Sequence, residues 1–196
     1  MKKNILYIGR FQPFHKGHAD AVSQILEDII ENLENNNIYN IFIGIGSAEN
    51  NFTESNPLTA GERFEIIEEA CHEILANKNI QNDIKSKIKF HIVPIRNIDH
   101  YALWPNHVQQ YLPEIDILYS GSPLILQLWE KSFSYKLNEI TKKITKKIEK
   151  RIDISGTQIR KIISNNDNLQ KYLLNSTILL LEKFELQKRL QNMKTY

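Results

Sequence analysis

Cysteine is almost missing from this chain. Cys71 stands alone, so no internal disulfide can form. A strong charge of either sign is missing too. Lys and Arg number 25 against 23 Asp and Glu, a formal net charge of +2. That near balance gives no case for a general nucleic-acid binder, and any anion site must be local. Long apolar runs are also absent. The late run Ile178 to Leu181 is far short of the roughly 20 residues that span a bilayer. The chain opens with no charged segment leading into an apolar one, as a secretory leader would. These absences together imply a soluble protein in a reducing, cytoplasmic setting, with no membrane partner. The triplets Asn51-Phe52-Thr53 and Asn175-Ser176-Thr177 fit the glycosylation pattern, but without a leader they read as chance.

What is present is enough for a core. The chain has 196 residues and is 41% hydrophobic, which suits one domain. Asn4 to Gly9 reads as a short buried strand. A loop with Gly9, Pro13 and Gly17 follows it. Val22, Ile25, Leu26, Ile29, Ile30 and Leu33 then recur at helical spacing, so a helix is expected over about 18–34. Ile41 to Ile45 is a second strand. Thr59 to about Leu75 is a second helix, opened by a Thr59/Glu62 capping box and striped by Phe64, Ile67, Ala70, Cys71 and Ile74. Lys89 to Ile95 and Ile115 to Tyr119 are further strands, and Pro105 can begin a helix between them. Ser155 and Gln158 make a second capping box, with Ile159, Ile162 and Ile163 on one helical face. Leu169 to about Leu190 reads as one or two helices.

Strands alternating with helices argue for an α/β fold, a doubly wound parallel sheet with helices on both faces. Ligands of such sheets bind beyond the carboxyl ends of the strands, near the switch in strand order. The loops after the first, second and fourth strands carry the unusual chemistry.

The first of them, Gly9-Arg10-Phe11-Gln12-Pro13-Phe14-His15-Lys16-Gly17-His18, runs from a strand into a helix. A helix N-terminus offers free N–H groups and a positive dipole end. His15 and His18 sit three apart there and can point the same way. Gly17 allows close approach, and Arg10 and Lys16 add positive charge. Two histidines so spaced could also be metal ligands, although no Cys or nearby carboxylate completes a zinc site, or plain surface residues. In Ser155-Gly156-Thr157-Gln158-Ile159-Arg160, hydroxyls and backbone donors at a helix start join a planar guanidinium suited to phosphate. An ordinary capped helix with a surface Arg is the plain alternative. Gly44-Ile45-Gly46 starts like a dinucleotide fingerprint but lacks the third glycine, which rejects a dehydrogenase.

The run through His15-Lys16-Gly17-His18 resembles the HxGH signature of the nucleotidyltransferase superfamily. At its full ten residues it is similar to the archaeal-type nicotinamide mononucleotide adenylyltransferases. Ile154 to Arg160 resembles the second signature, ISxTxxR. Gly44 to Asn50 resembles the GIGSAxx segment, Thr59 to Arg63 the TAGER segment, and Tyr119-Ser120-Gly121-Ser122-Pro123 a YSGNP segment with Ser122 in place of Asn. Ala102-Leu103-Trp104-Pro105-Asn106-His107-Val108 departs from the usual LWVSHV at Pro105-Asn106. The resemblance runs from Asn4 to about Ile163.

It implies a Rossmann-like nucleotidyltransferase fold with C-terminal helices, a single domain over 1–196 with a catalytic core at 1–163 and a helical tail at 164–196. It implies transfer of the AMP part of ATP to nicotinamide mononucleotide, giving NAD and pyrophosphate. His15, His18 and Arg160 are the implied catalytic residues. Gly9, Arg10, Phe11, Lys16, Gly17, Ser120, Gly121, Ser155 and Thr157 are the implied ATP and phosphate contacts. Arg63, Asn97, Asp99 and Trp104 would bind the mononucleotide, Trp104 by stacking on the ring. Magnesium (Mg2+) would enter on the ATP phosphates, with no protein metal ligands. Nicotinic acid mononucleotide is a further possible substrate, and the family implies a homo-oligomer. Sister enzymes such as pantetheine-phosphate adenylyltransferase and glycerol-phosphate cytidylyltransferase share both signatures. A catalytically idle nucleotide-binding regulator and a fragment of a class I aminoacyl-tRNA synthetase are the remaining alternatives, the last without a KMSKS-like loop. The run Lys142, Lys143, Lys146, Lys147, Lys150, Arg151 reads as a solvated charged face.

Overall fold

Hydrophobic alternation in a strand covered on both sides fixes the frame of this molecule. In Lys2–Gly9 (β1), Ile5 and Tyr7 point into one core cluster and Leu6 into another. In Ile38–Ile45 (β2), Ile41, Ile43 and Ile45 join the first cluster and Phe42 the second. Side chains of successive strand residues face opposite ways, so a continuous apolar run needs a cover on each face. The chain supplies it with Lys16–Glu31 (α1) and Ala60–Asn77 (α2) on one side and Trp104–Gln109 (α4) and Pro123–Glu130 (α5) on the other. The computed structural model describes residues 1–34, 37–132, 144–149 and 152–193.

The remaining elements are Asn82–Lys87 (α3), Ile88–Pro94 (β3), Ile117–Ser120 (β4), Ile144–Lys147 (β5), Gly156–Asn165 (α6), Asn175–Lys183 (α7) and Leu186–Met193 (α8). Five strands form one sheet in the order β3-β2-β1-β4-β5. Every pairing is parallel, with Ile5 opposite both Ile41 and Ile117. This is a doubly wound, Rossmann-like sheet. The order reverses between β1 and β4, so the crevice lies beyond Gly9 and Ser120.

The expected elements are present with shifted ends. β1 and β2 begin earlier than their apolar runs, because Lys2, Lys3 and Ile38 to Asn40 continue the ladder. The first helix ends at Glu31, with Asn32 as its cap. The tail forms two helices, and Leu173, Leu181, Leu186 and Leu190 join the first core cluster with Ile159 and Ile163 of α6. The short helices α3 and α5 are additional to the expected elements. In the Lys-rich run, Ile144–Lys147 forms a fifth strand paired with β4, with Lys147 exposed as expected of a solvated face. Lys146 is not merely solvated: it reaches Asp28 at 3.0 Å and lies over the Tyr119 ring. Lys142, Lys143, Lys150 and Arg151 lie outside the described residues.

Both capping boxes form. Thr59 Oγ1 accepts from the Glu62 N–H at 3.1 Å while the Glu62 carboxylate accepts from the Thr59 N–H at 2.8 Å. Burial raises the Glu62 carboxyl, but the hydrogen bonds and charge of Arg189, together with the Thr59 donors, outweigh it and hold the group below its ordinary value of 4.5.

Two outcomes follow. Ile43→Ala, at a fully buried position, should cost about 2–5 kcal/mol in urea unfolding, whereas Leu179→Ala, 65% exposed, should stay within about 0.5 kcal/mol. Because Glu62 is depressed in the folded state, its contribution to stability is full above 4.5 and is lost as pH falls through the folded value. Thermal melts between pH 6 and pH 3, as round experimental settings, should show a shallower acid loss for Glu62→Gln than for the unsubstituted protein.

Candidate active site

The first loop folds back on itself after β1. Gly9 permits this, since a Cβ there would meet the Phe11 ring at 2.9 Å. Phe11 has a left-handed φ of 50° and is buried. The Gln12–Pro13 peptide is cis. The Gln12 side chain holds Leu58 from both sides, donating to its carbonyl and accepting from its N–H, each at 2.9 Å. The loop is thereby tied to the segment before α2.

His15 caps α1 in an extended conformation and is 6% exposed. Its N–H donates to Nδ1 of His18 at 3.2 Å, and the two rings stack at 3.7 Å between centroids. Accepting at Nδ1 leaves the proton of a neutral His18 ring on Nε2, a donor suited to a phosphate oxygen. Phe11 and Phe14 pack against His18 at 4.8 and 5.3 Å and fix the ring. Gly17 is needed as well, because a Cβ would lie 3.0 Å from the Ile152 carbonyl and 3.2 Å from the His15 ring.

The second signature meets this loop directly. Arg160 donates through Nη1 to the Gln12 carbonyl at 2.8 Å and through Nη2 to Thr157 Oγ1 at 3.1 Å. A Cβ on Gly156 would meet the same carbonyl at 2.9 Å, so only glycine allows the contact. Ser155 caps α6 and accepts from the Gln158 N–H. Burial, and then the nearby Arg10, lower the Arg160 guanidinium, while Glu54 opposes them. A cleft of about 320 Å³ beside it is lined by Glu54, Ser55, Thr157, Arg160, Lys161, Ser164 and Leu190.

Sequence reasoning missed what brings α6 to the first loop. Asp20, Gln24 and Asp28 lie four apart on one edge of α1. Asp20 accepts from the Ile152 N–H, and Gln24 bonds the Lys147 carbonyl and the Glu149 N–H. Asp28 binds Tyr119 Oη at 2.6 Å and Lys146. This polar stripe holds the segment leading into Ser155. Its period of four was visible in the sequence; its partners were not.

Three of the expected contacts are engaged within the protein. Arg63 is 0% exposed and does not face a ligand. Its guanidinium donates to the carbonyls of Thr59, Arg10, Gly46, Ser47 and Ala48 at 3.0–3.2 Å, with Asn50 at 3.5 Å. It is a clamp on the loops after β1 and β2. Burial lowers it to about 10, with Glu49 opposing, so it stays charged at neutral pH. Lys16 donates through Nζ to the Gln170 carbonyl at 2.7 Å and so ties α1 to the tail. The Phe11 ring is buried in the core against His18.

At the other end of the crevice, Asn97 donates through Nδ2 to Asp99 at 2.8 Å, and its N–H reaches the Glu49 carboxylate. Trp104 is half-buried and meets Trp129 edge-on at 6.4 Å. Ser120 Oγ accepts from the Ser122 N–H at 3.1 Å, so the Ser122 position acts through its backbone. Gly121 follows Ser120 at the strand switch. Among the described residues no three His, Cys, Asp or Glu gather to hold an ion, and no helix is long and apolar enough to cross a membrane.

Comparison with known proteins places this geometry. The protein-family model for cytidylyltransferase-like proteins matches residues 6–162. The chain belongs to that family. Within it, the chain is 34% identical to a nicotinamide-nucleotide adenylyltransferase of Methanococcus aeolicus, covering 97% of this chain and 96% of that one. It is 30% identical to the enzyme of the same name from Archaeoglobus fulgidus, covering 95% and 94%. The chain belongs with these archaeal nicotinamide-nucleotide adenylyltransferases. A bifunctional NMN adenylyltransferase/ADP ribose pyrophosphatase of Francisella tularensis shares the fold, with a TM-score of 0.65 at 19% identity over 98% of this chain. A second structure of it, with AMP and a manganese ion, gives 0.63. This chain spans about half of those solved chains, 52%.

Arg63→Met should strip the carbonyls of the two loops of their donor and destabilise the fold by on the order of 3 kcal/mol, since each unsatisfied buried acceptor costs about 1–3 kcal/mol. Arg63→Lys should recover little, because one ammonium cannot replace a planar fork. Chemical unfolding of both variants measures this.

Proposed function

We propose that this protein joins nicotinamide mononucleotide to the AMP part of ATP, forming NAD and releasing pyrophosphate. One observation carries the reading: the two signatures, 148 residues apart from Gln12 to Arg160, meet at a 2.8 Å hydrogen bond, and the first carries two stacked histidines. A site so built concentrates donors and positive charge on one anion.

In the step itself, a 5′-phosphate oxygen of the mononucleotide attacks the α-phosphorus of ATP. The new P–O bond forms as the bond from that phosphorus to the bridging oxygen breaks, and pyrophosphate leaves with the electron pair. No covalent enzyme intermediate is needed, and positioning with charge stabilisation supplies the rate. His18, with its Nε2 proton, and His15 hold the α- and β-phosphates as charge builds. Arg160, Thr157 and the N–H groups at the start of α6 hold the β- and γ-phosphates, with Arg10 at the rim. Ser155 and Gly156 shape that helix start, and Gly9 and Gly17 keep the first loop close. Ser120 and Gly121 flank the adenosine at the strand switch.

Trp104 offers the stacking surface for the nicotinamide, with Asn97 and Asp99 on the preceding loop. The site gathers cations and N–H donors, so it fits magnesium carried by phosphate oxygens and water. Bound magnesium neutralises the triphosphate. The tail shares the first core cluster, so the whole of 1–196 acts as one nucleotidyltransferase domain, 1–163 carrying the chemistry. A cytoplasmic setting fits the unpaired Cys71, whose buried thiol is pushed up to about 12 and is unreactive.

Pyrophosphate release with ATP and magnesium tests the reading, run separately with nicotinamide mononucleotide, nicotinic acid mononucleotide and phosphopantetheine. Turnover with the first is expected. Turnover with phosphopantetheine alone would move the chain to the sister activity. His18→Ala should lower kcat by about 10²–10³, the size of one lost transition-state donor, with the protein still folded. Near-normal turnover in that variant would contradict the mechanism.

A further inference from the structure

The C-terminal helices contribute nothing to either signature, yet α8 reaches back to the phosphate end of the crevice. Arg189 grips Glu62 bidentately, with Nη2 to Oε1 at 2.7 Å and Nη1 to Oε2 at 2.8 Å. Its Nη1 also donates to the Pro57 carbonyl at 2.8 Å, and its Nη2 to the Phe184 carbonyl at 3.3 Å. The guanidinium carbon stands 5.1 Å from the Phe52 ring centroid. Phe52 is 59% exposed and has a left-handed φ of 50°.

These contacts converge on the loop 47–58. Arg63 holds its beginning through the carbonyls of Ser47, Ala48 and Asn50. Gln12 holds its end at Leu58. Between those anchors, Arg189 reaches Phe52 and Pro57 from outside. Glu54 and Ser55 lie between its two contact points and line the cleft with Thr157 and Arg160, and Leu190, next to Arg189, lines it too. A cation–π contact at an exposed ring is modest in energy, so Arg189 over Phe52 matters chiefly for where the loop sits.

We infer that Arg189 is a positioning residue for the transfer: from the C-terminal helix it sets the 52–57 stretch that walls the phosphate cleft beside Arg160. The inference rests on the proposed adenylyl transfer. Arg189 touches no reacting atom, and its effect is to keep Glu54 and Ser55 at a fixed place opposite Arg160. Losing it loosens the wall for ATP in the ground state and the transition state alike, so KM for ATP changes and kcat does not.

The test compares the unsubstituted full chain with Arg189→Met, Arg189→Lys and Phe52→Ala. Each is assayed for KM of ATP and kcat in pyrophosphate release, and for chymotrypsin cleavage after Phe52 in the two Arg189 variants without nucleotide. Phe52→Ala should raise KM for ATP about two- to fivefold, as a lost cation–π contact would. Arg189→Met should raise it about tenfold, with kcat within about twofold, as for one lost charged bidentate pair. Arg189→Lys should fall between, and cleavage after Phe52 should quicken in the order Lys, then Met. KM for ATP unchanged in Phe52→Ala and Arg189→Lys, or cleavage as slow as in the unsubstituted chain, overturns the inference. Phe52→Ala and Arg189→Lys keep the test valid if Arg189→Met does not fold. If the unsubstituted chain itself releases no pyrophosphate, the activity fails, and the nucleotide-free cleavage rates still decide whether Arg189 sets the loop.

Discussion

A guanidinium shut away from water costs several kcal/mol unless its donors are all met, and Arg63 meets that demand with main-chain carbonyls from three segments. Loops at the end of a parallel sheet have no ladder to satisfy their own polar groups. Here one side chain from α2 does it for the loops after β1 and β2 at once. Its place is set by the Thr59/Glu62 capping box one turn earlier, so the start of a helix determines the shape of the crevice. Glu62 also receives Arg189, which links the tail to the same point.

The crevice must also hold like charges near one another. Burial, and then the charge of Arg10, lower the Arg160 guanidinium. Such a cluster is stable only if neutral acceptors hold it in place, and the Gln12 carbonyl and Thr157 hydroxyl serve that purpose. In the proposed reaction the polyphosphate would relieve that repulsion, so the cluster would favour a bound anion.

Much of this was legible in the residues. The alternation of strands and helices yields the parallel sheet, and both capping boxes stand where Thr59 and Ser155 place them. The two motifs meet where Arg160 bonds the Gln12 carbonyl and Thr157. Other residues misled for a physical reason. Arg63 has the right charge for phosphate, but whether an arginine faces solvent or a carbonyl is decided by tertiary packing. Lys146 and Lys147 hid a strand, because a four-residue edge strand with charged positions carries no apolar signal, and its pairing depends on β4 and the Asp20, Gln24, Asp28 stripe. Arg189 gave no signal at all, since an arginine late in an amphipathic helix reads as solvated.

The central claim is that the two signature loops form one polyphosphate site. A crystal structure of the protein with magnesium, a non-hydrolysable ATP analogue and nicotinamide mononucleotide tests it most directly. The triphosphate should lie within hydrogen-bond distance of His18 Nε2, Thr157 and Arg160 together, with the nicotinamide ring against Trp104. A triphosphate that touches the first loop while Arg160 keeps only its bonds to Gln12 and Thr157 would contradict it.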